Sequence, residues 1–139
     1  MRRLRASNAH ADAVAHLVAQ HRSFPVAATN DGDLRRWLQR VGLDHHVDAL
    51  RLAMALAAAR GAAARAELLP TVRRIRAIVR GRPPLTLNDL AIGGSDLRAA
   101  GIPPGPRYGE ILRTLLDRVV ADPSLNTPER LLELIPSDD

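Results

Sequence analysis

The sequence has no cysteine, which excludes disulfides, a thiolate nucleophile and every zinc site built on sulfur. It has no lysine either: all 20 basic residues are arginine. Aromatic residues make up only 2%, with one Trp, one Tyr and one Phe, and runs of β-branched residues are scarce, so little in the chain favours strands. Arginine interrupts the apolar stretches every few residues, which leaves no membrane-spanning segment, and no signal-peptide core follows Met1-Arg2-Arg3-Leu4-Arg5. The expectation is a soluble, cytoplasmic protein with no membrane partner.

What is present is alanine and leucine at helical spacing. With 139 residues and 46% hydrophobic content, the chain is long enough to bury a core, as one domain or two small ones. The expected class is all-α, a multi-helix array. A first helix is expected from a Ser7 or Asn8 N-cap to about Arg22, with Val14, Leu17, Val18 and His21 on one face. Asp31 or Asp33 is expected to cap a second helix, whose Leu34, Trp37, Leu38 and Val41 follow the i, i+3, i+4, i+7 pattern and whose end falls at Gly42. A third begins near Asp44 and turns Val47, Leu50 and Met54 inward before an Ala-rich stretch that lets another backbone come close. A fourth covers Ala62 to Arg80, with Leu68, Val72, Ile75 and Val79 as its seam and Gly81 as its stop.

Gly81-Arg82-Pro83-Pro84 then breaks the helical pattern, because paired prolines lack backbone donors and keep the chain extended. Charge changes at the same point. Residues 1–82 hold 15 Arg against six acids, a balance of +9, and residues 83–139 hold five Arg against nine acids, a balance of −4. Two domains are expected on this boundary: a basic four-helix part, 1–82, and a smaller helical tail subdomain, 83–139. In the tail, short helices are expected near 86–92 and 95–100, a longer one from Pro106 to about Ala121, and a last one starting at Thr127-Pro128, where Thr caps and Pro occupies the first helical position.

Catalytic constellations are few. Gly93-Gly94-Ser95 has the letters of the phosphate-binding turn of nucleotidyltransferases, but that chemistry needs metal-holding carboxylates on a following strand. The only Asp-x-Asp, Asp31-Gly32-Asp33, lies upstream at a helix start, so a helix stop and cap is the better reading. The five histidines contain no i, i+4 pair and no His-Asp dipeptide; they are read as structural or solvated, with no metal and no cofactor. Ser95 and Ser124 have no evident base to activate them.

The strongest positive feature is arginine between Arg60 and Arg82: seven of them, with Glu67 the only acid. Arg73, Arg76 and Arg80 fall at i, i+3 and i+7 beside the apolar seam. Such a stripe suits phosphates, since guanidinium forks bind phosphate oxygens and release condensed counterions. Arg82 and Arg107 complete the expected phosphate contacts. A second feature, Gly101-Ile102-Pro103-Pro104-Gly105-Pro106, resembles the turn of a helix-hairpin-helix, where amides at a helix start receive a phosphate. Its prolines delete three donors and leave Gly105, Arg107 and Tyr108, with Gly105 and Tyr108 named as backbone-amide candidates.

The run Leu87-Asn88-Asp89-Leu90-Ala91-Ile92-Gly93-Gly94-Ser95-Asp96-Leu97, then 101–106, then Gly109-Glu110-Ile111-Leu112 resembles the C-terminal body and tail of class II tRNA nucleotidyltransferases, the CCA-adding enzymes and bacterial poly(A) polymerases. Asn126-Thr127-Pro128-Glu129-Arg130-Leu131-Leu132 is similar to the segment before the family's last helix, and Leu34 to Gly42 with Leu50-Arg51 looks like the preceding helical region. The resemblance implies a helical region that clamps the elbow and acceptor arm of tRNA while a separate N-terminal head performs catalysis. No counterpart of that head is present in the sequence. The chain departs from the family at Arg51-Leu52-Ala53-Met54, where relatives show Arg-x-Ala-Asp; a thioether cannot replace the carboxylate in hydrogen bonding.

The expected function is therefore the non-catalytic, tRNA- or structured-RNA-binding portion of such an enzyme, gripping the phosphate backbone through Arg and having no enzymatic activity of its own. The alternatives are a trans-acting subunit that completes a separately encoded head, and a helical protein-interaction module without RNA binding.

Overall fold

A computed structural model describes residues 8–21, 24–26 and 30–136. Among these the chain is all-helical, with no strand: α1 (Asn8–His21), α2 (Asp31–Val41), α3 (His46–Arg60), α4 (Ala62–Arg80), α5 (Gly94–Ala99), α6 (Arg107–Ala121) and α7 (Pro128–Glu133), with 3-10 turns at Leu87–Asp89 and Pro123–Leu125. The chain forms two compact units, Met1–Arg80 and Gly81–Asp139.

In the first unit, α2 has the clearest amphipathic pattern, and it buries Leu34, Trp37, Leu38 and Val41 as that pattern requires. Its N-cap is Asn30, whose Oδ1 accepts from the Asp33 N–H at 3.0 Å, so neither Asp31 nor Asp33 caps it. Asn fits because its side chain reaches forward to a free amide of the first turn, while Asp31, one residue on, is released for another partner. Gly42 ends the helix at φ 87°, a left-handed conformation that suits glycine.

On α3 the buried residues are Ala49, Leu50, Ala53 and Ala57, whereas Val47 is 45% exposed and Met54 half-buried. This corrects the expected inward set. A stripe of alanines at i, i+4, i+8 faces inward because α3 packs chiefly against α4, which follows after Gly61 alone. Small side chains let the two backbones close up around Leu68, Val72 and Ile75 of α4, all buried. Val79 of the expected seam is half-buried.

Helix α1 also turns differently from its periodicity. Val14 and Val18 are 50% and 53% exposed, and Ala13, His16 and Leu17 are the half-buried positions. His16 Nε2 lies 3.0 Å from the Val41 carbonyl; a carbonyl only accepts, so this nitrogen carries the proton and satisfies an orphan acceptor at the α2 C-terminus. The His16 and His45 rings lie 5.6 Å apart. Phe24 meets Trp37 edge-on at 5.2 Å. Ser7, Arg22 and the side chain of His21 lie outside the described residues.

The second unit is built on α6, which buries Ile111, Leu115, Leu116, Val119 and Val120 with Leu85, Leu90, Ile92, Leu97 and Leu131. The expected helix at 86–92 is a single 3-10 turn, because its side-chain bonding tightens it: Asp89 Oδ2 accepts from the Leu85 N–H (3.0 Å), the Thr86 N–H (2.8 Å) and the Thr86 hydroxyl (2.8 Å). Burial opposes ionisation of this carboxyl, but the three donors outweigh it and hold the Asp89 pKa below the ordinary carboxylate value. Asn126 secures the same segment, accepting from the Ala91 N–H and donating to the Asp89 carbonyl, both at 2.8 Å. Thr127 caps α7 with Pro128 at its start, as the sequence indicated.

Candidate nucleic-acid interface

Helix α4 buries the side that carries Leu68, Thr71, Val72 and Ile75 and exposes Arg65, Arg73, Arg76 and Arg80. At about 100° per residue these four guanidinium stems fall within about 80° of arc, and a rise of about 1.5 Å per residue spreads them over about 22 Å. The structure therefore keeps Arg73, Arg76 and Arg80 on one exposed face. It adds Arg65, which the sequence reading passed over; its position eight residues before Arg73 was the signal that could have found it. Arg65 also borders a shallow hollow of about 460 Å³ lined by Ala58, Gly61, Ala62, Ala66 and Leu69, where small side chains bring surface backbone within reach of a ligand.

Acids hold three other arginines of the unit and, among the described residues, none on this face. Asp33 binds Arg36 at 3.4 Å, Asp48 binds Arg51 at 3.2 Å and Asp31 binds Arg74 at 2.7 Å. Half of the unit's six acids are thus spent on arginines off the stripe. Among the described residues, Arg65, Arg73, Arg76 and Arg80 have no carboxylate partner. Four unneutralised guanidinium groups on one helix side form a local positive field suited to a polyanion.

Arg82, Gly105, Arg107 and Tyr108 belong to the second unit. Arg82 is exposed and has a left-handed φ of 50°. Arg107 opens α6 and is half-buried. Helix α5 ends in a double closure, Gly101 N–H to Arg98 carbonyl (3.0 Å) and Ile102 N–H to Leu97 carbonyl (3.1 Å), with Gly101 at φ 85°. The Tyr108 hydroxyl donates to the Ile102 carbonyl at 2.7 Å, and its ring lies 3.4 Å from where a Cβ on Gly94 would stand, so that glycine makes room for the tyrosine. The Tyr108 N–H donates to the Gly105 carbonyl at 3.1 Å. Of the two named amides, the Gly105 N–H is the one without a partner among the described residues.

Gly93-Gly94-Ser95 is a helix start: the Gly93 N–H donates to Asp96 Oδ2 at 2.8 Å, and no strand follows. Among the described residues no three His, Asp or Glu side chains converge where a metal ion could be held, and no helix is long and apolar enough to cross a membrane.

No curated protein and no solved structure matches the chain. A family model described as tRNA nucleotidyltransferase domain 2 does, and it covers residues 1–135. Nearly the whole of both units lies within that match, and the chain belongs to the tRNA nucleotidyltransferase domain 2 family.

Proposed function

We propose that this chain binds structured RNA, tRNA foremost, through the exposed cationic face of α4, and supplies grip rather than bond-making chemistry to nucleotide addition. The observation that carries the reading is the row of Arg65, Arg73, Arg76 and Arg80, none with a carboxylate partner among the described residues, while Asp31, Asp33 and Asp48 pair with other arginines. Guanidinium groups along one exposed helix face meet phosphate oxygens, contacts that carry no sequence information. Trp37 is 1% exposed and Phe24 and Tyr108 are half-buried, so the face has no aromatic platform for unstacked bases; this favours the backbone of a duplex arm over a single strand. Arg82 and the Gly105 amide are further candidate phosphate contacts, in the second unit.

The test is an electrophoretic titration of the full chain with tRNA at several salt concentrations. Salt-sensitive binding is expected, together with its loss when Arg73, Arg76 and Arg80 are all changed to Glu while the circular dichroism stays helical. Absence of binding at low salt, or affinity indifferent to salt, defeats the proposal. Incubation with labelled nucleoside triphosphates and tRNA should give no incorporation by the chain alone.

A further inference from the structure

The second unit contains a cleft of its own. It has a volume of about 320 Å³, and its walls include Ile102, Pro103, Arg107, Leu132, Ile135 and Pro136. No carboxylate, histidine or hydroxyl lines it, so a cation would find no ligands there. Its single ionisable group is the Arg107 guanidinium, a flat cation set beside apolar walls. Leu132, at 39% exposure, leaves apolar surface open to solvent beside the cleft.

We propose that this cleft holds one unstacked nucleobase, its face against Ile102, Pro103 and Leu132 and its acceptor edge or adjoining phosphate on Arg107. The inference rests on the RNA-binding reading above for its choice of ligand. Complementarity supports it: a base has two apolar faces for the apolar walls and an acceptor-rich rim for a guanidinium donor. Size is compatible with it, since the volume lies at the lower end of the roughly 300–1,000 Å³ typical of ligand sites and admits a base. The wall is also held before any ligand arrives. The double closure of α5 and the bond from the Tyr108 hydroxyl to the Ile102 carbonyl fix Gly101 and Ile102, which lowers the ordering cost of binding. The prolines offer no donors, so the slot takes purines and pyrimidines with little discrimination.

Two measurements on the full chain test this. In the first, adenosine monophosphate is titrated into isotopically labelled protein: the amide signals of Gly101, Ile102, Arg107 and Leu132 should move, and an equal concentration of inorganic phosphate should leave them in place. Unmoved signals overturn the slot, and equal movement with phosphate reduces it to an anion site. In the second, a blunt RNA duplex is compared with the same duplex carrying one bulged nucleotide. The bulge should raise affinity about tenfold. Leu132→Asn should erase that gain without changing blunt-duplex affinity, and Arg107→Gln should also erase it. Equal binding of both duplexes by the unaltered chain overturns the slot and leaves the α4 grip standing. Blunt duplex that fails to bind, with the nucleotide shifts present, sinks the α4 grip and leaves the slot.

Discussion

Asp31 holds Arg74 across 43 positions of sequence, with both Arg74 Nη2 (2.7 Å) and Nε (3.1 Å) donating to Asp31 Oδ1. The pair ties the start of α2 to the C-terminal half of α4 and places one arginine of that helix apart from the stripe. Because both partners are near half-exposed, at 40% and 52%, the tie is worth little in stability. Asp31→Asn is expected to lower unfolding stability by less than about 1 kcal/mol in urea titrations. Arg74→Gln should weaken RNA binding less than Arg73→Gln, compared by parallel gel titrations.

Salt dependence counts the phosphate contacts. If Arg73, Arg76 and Arg80 each neutralise one phosphate, replacing all three by Gln should reduce the slope of log affinity against log salt by about 3. Arg36→Gln, whose guanidinium is engaged with Asp33, should change the slope far less. A fluorescence-anisotropy series over salt concentration decides this.

Close packing of α3 on α4 depends on small side chains. Ala53 is buried and Ala58 exposed, so Ala53→Leu should cost about 1–3 kcal/mol by overpacking, and Ala58→Leu should be near neutral. Denaturant midpoints of the two variants provide the check.

Asp89 confers acid sensitivity on the second unit. Its folded pKa is depressed, so its stabilising bonds are complete above the unfolded carboxylate value of about 3.9 and are lost as pH falls through the lower folded value. Asp89→Ala should lower stability by about 1 kcal/mol at pH 7, as for other side-chain caps. The variant should also lose less stability than the unaltered chain as pH falls below about 3.9, followed by thermal melts at each pH.

The helical class and α2 were legible residue by residue: Leu34, Trp37, Leu38 and Val41 stand out against a charged opposite face, and all four are buried. On α3 the pattern failed. Alanine and leucine occupy nearly every side, so the sequence sets no preferred direction, and Ala49, Ala53 and Ala57 face inward because only they admit α4 at close range. The arginine stripe could be read from spacing, but which arginines lack partners could not, since that depends on where Asp31 lands relative to Arg74.

Local chemistry in the sequence determined what each segment becomes: alanine and leucine at helical spacing make helices, and glycine at Gly42 or threonine before Pro128 ends or begins them within a few bonds. Tertiary structure decided the pairing of Asp31 with Arg74 and which surfaces stay open, whereas Asp33–Arg36 and Asp48–Arg51 are local pairs three residues apart. Asn126 reaches Ala91 and Asp89 from 35 and 37 residues away, and the cleft beside Arg107 joins the α5–α6 turn to the residues around α7. Such contacts form between side chains distant in sequence, whose meeting depends on how packed helices fit together rather than on the preferences of any one segment.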